Sequence, residues 1–179
     1  MIVTWPLALV VTAVAAWSDL RTGHIPNWLT GFALFAAVVA HGLAGAVRDG
    51  ATGATIAVAW SLAGALACVA PVLLLFVRGA MGGGDLKLFA AIGALVHPMR
   101  GLEVEVYAFA VAALVSVGQL VHRGVLGATI AGSVRGLARV LPGRRATVTG
   151  AAVSPHLLEW LRLGPSIFVG AALTWLLRP

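Results

Sequence analysis

The sequence predicts an all-α, polytopic integral membrane protein of about six transmembrane helices, on three observations. Hydrophobic residues fill 60% of the 179 positions and charged residues only 10%, against about 25% charged in a soluble domain. So little charge cannot cover a water-facing surface, and the mean hydropathy of +1.00 agrees. Apolar runs of the length that crosses hydrocarbon, about 20 residues and somewhat fewer at the short extreme, recur near 2–18, 28–47, 54–77, 86–99, 103–121 and 164–177. Residues 1–179 read as one membrane-embedded domain.

The first run contains Ala13-Val14-Ala15, which imitates a signal-peptidase site, but no Lys or Arg precedes it. Secretory signals need a basic start, so 2–18 reads as a retained span. After Asp19 comes Ile25-Pro26-Asn27, which taken alone is a turn with Asn27 capping the second span. Arg48 and Asp49 form an outer loop between spans two and three, and Asp49 reads as solvated there. Span three holds the lone Cys68, which excludes a disulfide framework and a cysteine metal site. Gly82-Gly83-Gly84-Asp85-Leu86-Lys87 opens the short fourth span. His41 and His97 stand isolated, without ligand spacing, and read as packed or interfacial residues. Trp5, Trp17, Trp28 and Trp175 suit an aromatic belt at span ends.

Within the basic connection 122–163, residues 124–141 set Val125, Leu126, Ile130, Val134, Leu137 and Leu141 among Arg135 and Arg139. That pattern predicts an interfacial helix with its arginines toward anionic lipid, with a re-entrant or spanning segment and a loose loop as the alternatives. Pro142-Gly143 ends it, and His156 and Glu159 beyond it read as solvated. The last span begins at Gly164-Pro165, where proline suits a first helical turn.

Positive charge gives the orientation. The connections 1–2, 3–4 and 5–6 carry Arg21, Arg78, Lys87, Arg123, Arg135, Arg139, Arg144, Arg145 and Arg162, whereas the other side carries Arg48, Arg100 and Arg178. The positive-inside rule then puts both termini outside and the three richer connections in the cytoplasm. The net charge of +6 follows membrane side, which argues against a nucleic-acid partner. Asp19 ends span one and Asp85 opens span four, so both come to the cytoplasmic face.

Carboxylates beside long apolar runs are expensive and mark function by default, and two that meet push each other's pKa values apart. Taken singly, Asp85 is also explained as an N-cap and Asp19 as a solvated residue leaving the bilayer. The glycines before Asp85 permit positive φ and close approach of another stretch of chain, such as an extended peptide substrate. A helix N-terminus favours ionised Asp85 while a helix C-terminus disfavours ionised Asp19, so a shared proton is expected on Asp19. Lys87 either snorkels to the interface or steadies Asp85 or the substrate.

Asp19, Ile25-Pro26-Asn27, and then Gly82-Gly83-Gly84-Asp85-Leu86-Lys87 at the head of a later span resemble the type IV prepilin peptidases and their preflagellin-peptidase relatives. These are membrane aspartyl proteases of the G-x-G-D type. Gly164-Pro165-Ser166-Ile167-Phe168-Val169-Gly170 is similar to that family's G-P-x-(apolar)₃-G stretch. The resemblance implies that Asp19 and Asp85 are the catalytic dyad, with Gly82, Gly84, Lys87, Ile25, Pro26, Asn27 and Pro165 as motif support. It implies no cofactor and no metal, a prepilin-like substrate with a short basic leader ahead of a hydrophobic helix, and a bacterial or archaeal cytoplasmic membrane with lipid and pilus or secretion machinery as partners. Larger members carry paired cysteines in a cytoplasmic insertion and also methylate the new terminus. This chain more closely resembles the short, protease-only type of tight-adherence (Flp) pili, so methyl transfer is not expected. The long basic connection has no counterpart there. A proton-coupled transporter predicts midplane charges and an internal repeat, and a non-catalytic pilus-assembly scaffold predicts loss of one aspartate. The acids lie at one face, no repeat is evident, and both aspartates are present.

Overall fold

The computed structural model describes residues 4–122, 124 and 162–177. They form five helices and, among the described residues, no strand: α1 (Thr4–Thr22), α2 (Asn27–Val77), α3 (Gly83–Val96), α4 (Pro98–His122) and α5 (Leu163–Leu177). Two compact units divide the chain. The first, Met1–Val111 with Arg162–Pro179, holds everything discussed below. The second, Ala112–Leu161, is described only at the end of α4 and at Gly124. The expected interfacial helix lies outside the described residues apart from Gly124, as do His156 and Glu159.

Run straight, the 51 residues of α2 would extend about 75 Å. Instead Asp49 (φ −134°, ψ 22°) and Gly50 (φ 63°, ψ −146°) leave helical geometry and divide it into arms 27–48 and 51–77. The arms fold back on each other, because Gly45 and Gly53 touch backbone to backbone and Gly42 faces Val58. Spans two and three of the sequence reading are these two arms.

Past Lys87, α3 is apolar on every side, and such a stretch of helix belongs in a core. Leu88, Phe89 and every residue from Ala91 to Val96 are buried. Its neighbours approach through small residues, the mode available where lipid removes the hydrophobic drive between helices. Gly64 of α2 meets Gly93 so closely that a Cβ on either would strike the other's carbonyl. The Ser61 hydroxyl donates to the Ala94 carbonyl at 2.9 Å beside that contact. Phe89 stacks on Phe109 of α4, with centroids 5.8 Å apart, and Gly170 of α5 fits against Val104 and Ala108.

Two helices, α2 and α4, are long and apolar enough to cross a membrane, and α5 is a shorter apolar helix. Only 28% and 22% of their apolar windows are buried within the protein. A core helix of a soluble protein would be mostly buried, so these faces suit lipid and point to a membrane protein.

Several boundaries differ from the sequence reading. α1 continues to Thr22, which places Asp19 inside its last turn. The fourth run stops at Val96, because Pro98 cannot continue a helix and starts α4 instead. Trp5 does not join an exposed belt; it is buried and packs against Trp175 at 5.8 Å between centroids. His41 and His97 are not isolated, since their rings lie 4.4 Å apart.

Candidate active site

The end of α1 creates the first wall. Gly23 takes φ +67° and donates its N–H to the Asp19 carbonyl at 2.9 Å, a left-handed stop that glycine makes without strain. The hydroxyls of Ser18 and Thr22 both donate to the His24 carbonyl, at 2.8 and 3.2 Å, and fold the following residues back. Ile25 is buried there. Pro26, extended at φ −64° and ψ 131°, serves as N-cap of α2, so Asn27 is its first helical residue and not the cap.

The start of α3 forms the second wall. Gly82 is the N-cap with φ −76°, and Gly83, Gly84 and Asp85 occupy the first turn. Asp85 therefore sits three residues past the cap and does not itself cap the helix. None of these three glycines has positive φ. Gly84 serves closeness: a Cβ there would stand 3.2 Å from the Ile25 Cβ, tighter than an ordinary contact, so the turn after α1 would have to give way to any side chain at the head of α3.

Between these walls lies a cavity of about 320 Å³, lined by Asp19, Gly23, His24, Ile25, Asn27, Gly82, Gly83, Gly84, Asp85 and Lys87. Of the site residues read from sequence, Asp19, Asp85, Gly82, Gly84, Lys87, Ile25 and Asn27 line it, while Pro26 and Pro165 do not. Lys87 donates from Nζ to Asn27 Oδ1 at 2.9 Å. It thus ties the two walls together at the exposed rim.

The carboxyls differ in surroundings. Burial pushes Asp85 up from 3.8 to about 6, the Asp19 carboxyl beside it adds to the rise, and the Gly82 backbone works in the opposite direction. The dipole comparison omitted a third helix: Asp19, only 7% exposed, accepts the Gly164 N–H of α5 on Oδ2 at 2.9 Å. The free N–H groups of a helix start favour a negative partner, which offsets the unfavourable end of α1.

Sequence reasoning named Pro165 as a site residue, but took Gly164 only as the start of the Gly-Pro stretch and Arg162 only as a cytoplasmic charge. Arg162 donates from its guanidinium to the Asp19 carbonyl at 2.8 Å, which also takes the Gly23 N–H, and to the Leu20 carbonyl, which lies where α1 no longer supplies a donor. The available signal was the Gly-Pro start of α5, which leaves an amide free before a residue that has none.

No curated protein and no solved structure was found to match the chain. The model of the type IV leader peptidase family matches residues 7–117, a stretch that contains every residue lining the cavity between α1 and α3. The chain belongs to the type IV leader peptidase family, and is accordingly a protease.

Proposed function

We propose that Asp19 and Asp85 are the catalytic pair of an aspartic endopeptidase that removes the short basic leader from prepilin-like substrates at the cytoplasmic membrane face. One observation carries this reading: two carboxyls from separate helices line one cavity, and one of them holds its proton up to about pH 6. A carboxylate and a carboxylic acid side by side provide the base and the acid that peptide hydrolysis needs.

Ionised Asp19 takes a proton from water as its oxygen attacks the scissile carbonyl carbon. Protonated Asp85 gives its proton to the carbonyl oxygen. When the intermediate collapses, the C–N bond breaks, the amine leaves with the proton held on Asp19, and the hydroxyl proton returns to Asp85. The wall of Gly82, Gly83 and Gly84 leaves room for an extended substrate backbone. No metal, cofactor or methyl donor enters the scheme, in keeping with the short, protease-only type.

The arrangement in the membrane belongs to the same proposal. The two arms of α2 cross separately, giving six crossings with α1, α3, α4 and α5, both termini outside, and Arg21, Arg78 and Lys87 in the cytoplasm beside the aspartates. Lipid and pilus or secretion machinery are the partners, and nucleic acid is not. Reporter fusions after Arg78 should read cytoplasmic and those at Asp49 external; the opposite result removes the aspartates from the leader's side of the membrane.

The activity is tested with purified protein in detergent and a synthetic prepilin-like peptide. Asp19→Asn and Asp85→Asn should each lose cleavage by about a thousandfold or more, because an amide cannot exchange the proton, while Asp49→Asn should cleave normally. Near-normal cleavage by either of the first two variants would remove that residue from the mechanism.

A further inference from the structure

Asp19 is held at two places from outside its own helix, and both holds come from the start of α5. Gly164 donates its N–H to the Asp19 carboxylate at 2.9 Å in a buried contact. Arg162, two residues earlier, grips the main-chain carbonyls of Asp19 and Leu20 with one guanidinium nitrogen. There is no slack between them. A Cβ on Gly164 would lie 2.8 Å from both Cβ and Oδ2 of Asp19 and 3.2 Å from Cα of Ala16, so α5 approaches as far as backbone atoms allow.

α1 alone supplies no such control. Asp19 lies within four residues of the helix end, where the carbonyls lack intrahelical donors and the last turn frays readily. The Ser18 and Thr22 hydroxyls and the Gly23 N–H fasten the turn that follows. Among the described residues it is Arg162 and Gly164 that reach Asp19 from another helix.

We infer that Arg162 and Gly164 are positioning residues for Asp19: Arg162 fixes the last turn of α1, the Gly164 amide fixes which way the Asp19 carboxylate faces, and together they aim it at Asp85. This rests on the two-aspartate reading above. Its consequence is kinetic. A substrate binds along the glycine wall of α3 whether or not Asp19 is well aimed, whereas an error of about 1 Å in a reacting group costs about a hundredfold in rate. Loosening the clamp should therefore lower kcat and spare KM.

The experiment measures kcat and KM of Arg162→Ala, Arg162→Lys and Gly164→Ala in detergent on the same peptide, with the amount of folded protein measured for each. Arg162→Ala should lose about tenfold or more in kcat per folded molecule with KM within twofold of wild type. Arg162→Lys keeps a donor for one carbonyl and should recover most of the loss. Gly164→Ala, if it folds, should lose about a hundredfold in kcat. The inference is overturned if Arg162→Ala keeps its kcat per folded molecule, if its loss appears mainly in KM, or if lysine does no better than alanine. Asp19→Asn in the same series separates the two claims: activity surviving there removes the dyad itself, whereas an inactive Asp19→Asn beside a fully active Arg162→Ala removes only the clamp.

Discussion

Among the described residues, two polar cavities of similar size differ in what lines them: one holds two carboxyls, the other one carboxyl beside two imidazoles. The first, about 320 Å³, opens where α2 begins; the second, about 260 Å³, lies where α2 breaks and is lined by His41, Arg48, Asp49, Trp60 and His97 among others. The intervening arm, 27–48, is about 33 Å long at 1.5 Å per residue, close to the hydrocarbon thickness of a bilayer. The second cavity holds as many kinds of ionisable group as the first, yet its chemistry is largely spoken for. His41 Nε2 pairs with the Leu95 carbonyl at 3.0 Å, and the two imidazoles pack on each other. In the first, two carboxyls from distant parts of the chain share a space and one has its proton held by burial. Polarity at a membrane edge is therefore a poor guide to function; paired acids with unequal surroundings are a better one.

The comparison is most open to attack at the glycine wall. Gly84→Val should lower cleavage about tenfold to a hundredfold, because the new side chain pushes Ile25 away and narrows the groove where the substrate backbone would lie. Cleavage per folded molecule is the readout, and a loss that merely follows the loss of folded protein would make Gly84 a packing residue only. At the other cavity, His41→Ala should cut within about threefold of wild type while melting lower, since it leaves the buried Leu95 carbonyl without its partner. A large loss of kcat there would mean that the two cavities work together.

The smallest predicted effect is on stability, and its sign is opposite to that on activity. Asp85 holds its proton to about pH 6 in the folded protein against an ordinary 3.8. The folded state therefore binds more protons between those values, so stability falls as pH rises from about 4 to about 6 and changes little from this group above that. Asp85→Asn should accordingly be inactive at pH 8 yet melt no lower than wild type. For the wild-type enzyme, cleavage should decline as pH rises past about 6, where Asp85 loses the proton it donates. A marked drop in the melting temperature of Asp85→Asn at pH 8 would make Asp85 a structural carboxylate instead.

Much of this was legible in the sequence. Charge scarcity and the apolar runs predicted helices, and the described part of each run is helical apart from the break at His97, where the fourth run passes from α3 into α4. Asp19, Ile25, Asn27, Gly82, Gly84, Asp85 and Lys87 stood out before any coordinates, because acids, glycines and prolines are conspicuous against an apolar background, and they line one cavity. What was not legible depends on contacts between helices. Nothing local to Asp19 announces that the Gly164 amide lies against its carboxylate. The glycines before Asp85 were read for positive φ and for close approach of another stretch of chain; none of the three has positive φ, and the stretch that comes close is Ile25 of the same chain, against Gly84. His41 and His97 are 56 positions apart in sequence, and only the return of α3 alongside the first arm of α2 brings them together. Glu105 drew no notice within its apolar run, yet it is buried with Oε2 lacking a hydrogen-bond partner among the described residues.

The central claim is that Asp19 and Asp85 act as one unit, and the most direct test is the rate of peptide cleavage by Asp19→Asn, Asp85→Asn and the double variant, measured under single-turnover conditions. Residues that share one proton cycle are non-additive: the first loss removes the chemistry and the second has nothing left to remove. The account predicts that all three variants fall to the same residual rate. Losses that multiply in the double variant, or a single variant that keeps more than about a tenth of the wild-type rate, would contradict it.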